Sequence, residues 1–373
     1  MQIPIRVLVL LRPSVAPGLL LAIAFSTFVL SSTAFLLDLV ADHYSVGLAT
    51  ASFIGVGQLS GFVLGSWGSG RWLEPTRATF VSAIALALVA NGLSATLPPF
   101  ALLIALRFAS GIALGLISWI GWVQVFGEEK GTADLAVMGP LAGIISGPLI
   151  AVFATGYGAR GVFVLLTVLA AIPLVFHRGT EAQHAVPDAS QRSKPVLAAR
   201  ILLIALGVFT LGGSAVFQFA VVLGADRVGL SISTVALIFS ANAVVAIPSA
   251  KWPWKRGQPG PWMAVTAICA VTGGVATNAV LFAAAFTLWG FAFWMALPSA
   301  FQVLAERSAN PADRAGDAQA IMAAGRVVGP LLGGFVFDQY GGPTLGIVGG
   351  GLMFAAAVTV FATRTTVRPR VTD

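Results

Sequence analysis

The feature that most limits what this chain can fold into is a succession of apolar stretches, each about as long as a bilayer is thick. A helix needs about 20 apolar residues to cross the hydrocarbon core. Twelve such stretches lie near 15–37, 47–68, 78–96, 99–122, 133–155, 159–176, 199–223, 230–250, 261–277, 280–304, 315–338 and 341–362. Of 373 residues, 57% are hydrophobic and only 9% charged, whereas a soluble domain carries about a quarter charged residues. The missing charge is read as lipid-facing surface. The run over 15–37 is too long for the apolar core of a secretory signal, so it is expected to be a retained first span. Residues 2–12 are expected to lie along the interface.

The basic residues give this map an orientation. With the N-terminus placed in the cytoplasm, seventeen Lys and Arg fall in inside segments and two, Arg160 and Arg227, in outside loops. Positive charge accumulates on the cytoplasmic side of membrane proteins, and an odd number of spans would invert the second half and spoil the bias. The expectation is therefore an all-α membrane protein with both termini cytoplasmic, in an inner (plasma) membrane. The polar stretch 177–198, with Pro187 and Pro195, separates a six-helix half over 1–176 from a second over 199–373.

Several function classes lose support at once. Cys269 is the only cysteine and the three histidines are scattered, so neither a disulfide nor a metal cluster is expected. No G-x-x-x-x-G-K-[ST] and no H-E-x-x-H occurs, and no cofactor is expected. The net charge of +7 is explained by cytoplasmic loops, and no nucleic acid need be invoked.

The two halves share a string. Gly143, Gly147 and Pro148 in span five form G-x-x-x-G-P, as do Gly325, Gly329 and Pro330 in span eleven, 182 residues later. Small residues four apart let helix backbones approach closely in lipid. A repeat of six helices is one of the architectures of secondary transporters.

With these residues in view, the chain resembles the major facilitator superfamily over nearly its whole length. The likeness rests on the six-plus-six layout, the central linker, Arg107 followed by Gly111 in span four, the G-x-x-x-G-P of span five, and the loop from Gly65 to Arg71. The G-x-x-x-G-P of span five resembles the motif of the drug/proton antiporter (sugar or drug efflux) branch. The loop departs from the family pattern, with Ser69 and Gly70 where an Asp and a basic residue are usual. The resemblance implies twelve transmembrane helices in two six-helix pseudo-repeats around a central cavity.

An ionisable residue inside a span costs about 2.5–3.5 kcal/mol on insertion scales and marks function by default. Arg107 and Arg326 are the two deep cations. Spans one and four line the cavity of the resembled fold, so Asp38 and Arg107 are expected to pair and to act as a charge switch in proton coupling. Arg326 is expected in the substrate cavity, with Gln218, Asn242, Gln58, Ser214, Phe217 and Trp289, because aromatic walls with a few polar groups suit a small ligand. The expected activity is secondary active transport of a small anionic or amphiphilic solute by alternating access, as proton-coupled efflux by a monomer. Proton-coupled uptake of a small anion is the alternative, and a non-transporting scaffold or receptor the alternative from another class.

Overall fold

The computed structural model describes residues 15–125, 129–176, 178, 195–250, 259–306 and 311–366. The interfacial segment expected over 2–12, most of the linker, and the loop 251–258 lie outside the described residues.

All described regular structure is helical, as lipid requires, because a bilayer offers no partners for unpaired backbone groups. In chain order the helices are α1 Pro17–Tyr44, α2 Leu48–Ala51, α3 Phe53–Trp72, α4 Arg77–Ser94, α5 Phe100–Gln124 and α6 Glu129–Val175. There follow α7 Leu197–Phe217, α8 Ala220–Val228, α9 Ile232–Ala250, α10 Pro259–Val275, α11 Ala279–Glu306 and α12 Pro311–Thr366. Local chemistry sets their ends. Pro17 opens α1, where its missing N–H costs nothing. Thr76, Ser231 and Asn278 each accept a backbone N–H three residues on and so cap α4, α9 and α11.

Among the described residues nine helices are long and apolar enough to cross a membrane, against the twelve expected from sequence. The difference has a physical origin. Apolar stretches of 39 residues in α6 and 43 in α12 are each about twice the length a bilayer needs. Each contains a glycine outside helical geometry, Gly158 at φ 61° and Gly341 at φ 77°, a region that favours glycine. In α6 the parts on either side pack on different neighbours. Before Gly158, α6 meets α1 and α9; after it, Thr167 lies against Gly92 of α4. Helix α10, with 17 residues, falls just short of a span by length.

The principal packing pairs are α3 with α5, α1 with α6, α7 with α12, and α10 with both α11 and α12. Glycines permit the close approaches. Gly57 and Gly65 of α3 lie where a Cβ would come within 3.0 Å of Ile104 O and Ile112 Cα on α5. The first glycine of the degraded loop motif is thus a packing residue. Among the described residues the two principal seams between the earlier and the later helices are α6 against α9, and α12 against α2 and α3.

Candidate functional site

A cavity of about 120 Å³ opens where α1, α6, the end of α7 and α9 meet. Its polar wall is Ser31, Ser146, Gln218 and Asn242, and its aromatic wall is Phe217 and Phe239. None of the described lining residues is charged. The wall follows from helical spacing: Phe239 and Asn242 are three apart on α9, as are Gly143 and Ser146 on α6, so each pair shares a face.

The polar groups differ in what they have left to offer. Asn242 Nδ2 donates to Phe286 O at 2.7 Å, which fixes the amide and leaves its oxygen as an acceptor. Ser146 Oγ reaches Ser31 Oγ at 3.4 Å and Gly143 O at 3.3 Å. Helix α7 ends at Phe217, and the backbone N–H of Gln218 still bonds Ser214 O. The Gln218 side chain lines the cavity and makes no hydrogen bond among the described residues. The neighbouring rings form a connected cluster of two stacked pairs, Phe217 with Phe239 and Phe286 with Trp289, joined by tilted contacts. Phe217 lies 5.0 Å from Phe239 and 5.6 Å from Trp289, and Trp289 is parallel to Phe286 at 5.8 Å.

Of the residues singled out in the sequence, the structure brings Gln218, Asn242, Phe217 and Gly143 to one cavity, with Trp289 buried behind Phe217. Others go elsewhere. Gln58 is buried and donates to Val29 O at 3.2 Å, tying α3 to α1. Ser214 reaches Leu211 O at 3.2 Å and Gly325 O at 3.5 Å, in the packing of α7 on α12.

The expected pair of Asp38 and Arg107 does not form. Arg107 is 1% exposed. Its Nη2 donates to Ser94 Oγ at 2.8 Å and Asn91 Oδ1 at 3.0 Å, both on α4, and its Cζ sits 4.7 Å from the centre of the Phe163 ring. A guanidinium over an aromatic face gains about 2 kcal/mol when desolvated. The neutral partners on α4 therefore hold Arg107 away from Asp38, which is exposed on α1. Arg326 is partly exposed on α12, and its guanidinium makes no hydrogen bond or ion pair among the described residues.

Sequence reasoning overlooked Ser146 and Phe239. The signal for both was available: Ser146 stands inside the G-x-x-x-G-P string, and Phe239 lies three residues before Asn242.

Membrane-crossing helices packed around a cavity that several of them line define a multi-pass membrane protein built to take up a small molecule. The chain belongs to the Major Facilitator Superfamily, whose sequence profile matches residues 19–326. No curated protein sequence matches it. Among solved structures it is similar to a POT family transporter in complex with a thioalcohol-conjugated peptide, at 13% identity and a TM-score of 0.71 over 94% of this chain and 96% of that one. It is also similar to the nucleoside transporter NupG, at 13% identity and a TM-score of 0.69 over 94% and 99%. The human organic anion transporter MFSD10 (TETRAN) matches at 15% identity and a TM-score of 0.64 over 92% and 97%. At these identities the likeness is one of fold. The chain is a secondary transporter rather than an enzyme, and its substrate is a small molecule.

Proposed function

We propose that this protein moves a small amphiphilic solute across the inner membrane by alternating access, with outward, proton-coupled flux. The observation that carries this reading is the cavity between α1, α6, α7 and α9, where Gln218 shares the lining with Phe217 and Phe239 and its amide makes no hydrogen bond among the described residues. An unpaired amide beside stacked rings suits a solute with a planar apolar part and a hydrogen-bonding edge. Dividing α6 at Gly158 and α12 at Gly341, joining α2 to α3 and α7 to α8, and counting α10 gives twelve spans, in halves over 1–176 and 199–373 with a cytoplasmic linker at 177–198. The transporter works as a monomer with both termini in the cytoplasm.

Efflux and membership of the drug/proton antiporter branch rest on the G-x-x-x-G-P of α6. The proton is assigned to Asp38, which lies one helical turn beyond the cavity-lining Ala34 and so on the same face of α1. It acts without Arg107, which stays on α4. The test is transport of planar amphiphilic dyes into everted vesicles under an imposed pH gradient. Gln218→Leu is expected to lower the rate about tenfold, and accumulation indifferent to both Gln218 and the gradient would sink the proposal.

A second reading, uptake of a small anion, is favoured by Arg326. A cation inside a span that forms no ion pair among the described residues attracts negative charge. Counterflow of small carboxylates, lost in Arg326→Gln and kept in Gln218→Leu, would establish that reading over the first.

A further inference from the structure

Three described span starts, those of α4, α9 and α11, are capped by a side chain of their own segment, whereas the second span is capped from a distant helix. Its first helix, α2, follows Gly47, which has no side chain to offer and makes no cap. The cap comes instead from Asp338 on α12, 289 residues away, whose Oδ2 accepts the Ala49 N–H at 2.9 Å. The surroundings are built to admit that carboxylate. A Cβ on Gly47 would stand 2.8 Å from Asp338 Oδ2, and one on Gly334 would stand 2.5 Å from Ala49 Cα. The backbone of Gly47, at φ −68° and ψ 161°, lies in the extended region open to any residue. A side chain there would therefore meet the Asp338 carboxylate and not a backbone restriction. The span that starts at α9 occupies the matching place in the second half. It is capped locally by Ser231, which accepts the Thr234 N–H at 3.2 Å. Among the described residues the opposite seam shows no such cap, and Thr155 near the break in α6 bonds back to Ala151 O of its own helix.

We infer that Asp338 is a latch on the transport cycle, a positioning residue whose carboxylate caps the start of the second span only while α12 and α2 are closed on each other. The inference rests on the alternating-access reading above. When the two halves part at this end, the Ala49 N–H and the Asp338 carboxylate must separate and be taken up by water. Removing the carboxylate costs the closed state its cap and costs the open state nothing, so the equilibrium shifts toward opening at this face. Loss of a helix cap corresponds to a shift of about fivefold.

The test reads access to the cavity from each side of the membrane. Ala243, which lines the cavity, is changed to Cys in a Cys269→Ala background, which removes the only native cysteine. An impermeant maleimide is applied to intact cells and to everted vesicles. Tyr340→Cys, near Asp338 and well exposed, identifies which preparation presents the latch face, so an inverted topology is seen directly and does not confuse the result. From that face, Asp338→Ala is expected to raise the labelling rate of Ala243→Cys about fivefold. Asp338→Asn, which keeps a good capping side chain, should stay within about twofold of the parent. Gly47→Ala, which pushes the carboxylate away without removing it, should raise labelling like Asp338→Ala, and the double change should add nothing. Unchanged labelling in both Asp338→Ala and Gly47→Ala, or a rise only from the opposite face, overturns the latch. Labelling needs no cargo, so an error about substrate or coupling leaves this outcome readable.

Discussion

Gly143 and Gly147 of α6 and Gly325 and Gly329 of α12 stand in the same six-residue string, but the two copies meet different kinds of neighbour. A Cβ on Gly143 would meet Ala243 Cβ at 3.1 Å, and one on Gly147 would stand 2.8 Å from Ala236 O, both on α9 across a seam between the earlier and later helices. A Cβ on Gly329 would stand 2.6 Å from Leu211 O on α7, the helix that opens the same half. Register explains the contrast. Gly143 lies 15 residues before the break at Gly158, and Gly325 lies 16 before the break at Gly341. One residue turns a helix by about 100°, so identical strings face unlike partners. The crossing contact on α12 falls to a later glycine, Gly334, against Ala49. On the alternating-access reading, a motif repeated in sequence is thus a static joint on α12 and part of a moving seam on α6.

The largest effect is expected at the static joint. Gly329→Val forces a side chain against the α7 backbone, where nothing flexible can give way. Overpacking costs about 1–3 kcal/mol, and a backbone obstacle places this site at the upper end. The apparent melting temperature in detergent should fall by about 5 °C or more, with folded yield falling alongside it. A variant that melts like the parent would falsify the assignment of Gly329 to the core of its half.

Gly147→Val probes the moving seam. Each half can remain folded while α6 and α9 are held apart, so melting should shift by less than about 2 °C while transport falls about tenfold. Equal losses of stability in Gly147→Val and Gly329→Val would erase the distinction between the two copies.

The two intramembrane arginines divide in the same way. Arg107 is enclosed by Asn91, Ser94 and Phe163, and Arg107→Ala should cost about 1.5–3 kcal/mol, the range for hydrogen bonds to charged groups. Arg326 makes no hydrogen bond or ion pair among the described residues, so Arg326→Ala should leave melting unchanged and alter only the response to anionic solutes. Thermal shift with a panel of carboxylates checks both. Stabilisation by carboxylates that survives Arg326→Ala and disappears in Arg107→Ala would reverse the two roles.

How far the sequence alone reached depends on which physical signal each feature leaves. Membrane-crossing helices are legible because about 20 apolar residues are required wherever a helix meets lipid. Gln218, Asn242 and Phe217 could be found because a buried amide needs partners and one face of a helix can be counted. The fate of Arg107 could not be read, since Asn91 and Ser94 are ordinary residues until α4 lies beside α5. Neither could the Asp338 cap, which joins residues 289 apart and leaves no local pattern. The unlike partners of the two glycine strings were hidden for a related reason, because the one-residue offset is visible only against the breaks at Gly158 and Gly341.

The smallest effect offers the finest test of the comparison. Ser240 Oγ donates to Ile144 O at 2.6 Å across the α6–α9 seam, while Ser214 Oγ reaches Gly325 O at 3.5 Å within the α7–α12 joint. Hydrogen bonds between membrane helices average about 0.6 kcal/mol, which is about threefold in an equilibrium. If the α6–α9 seam moves during transport, Ser240→Ala should change the balance between closed and open states by that factor and leave melting unaltered. It would appear as a roughly threefold change in cavity labelling. Ser214→Ala should do the reverse, lowering the melting temperature by about 1–2 °C with labelling unchanged. The bond lost is of the same kind in each variant, so the split between the two readouts reports only whether the joint is one that opens. If both serines affect melting alone, the α6–α9 seam is as static as the α7–α12 joint and the two copies of the glycine string do the same work.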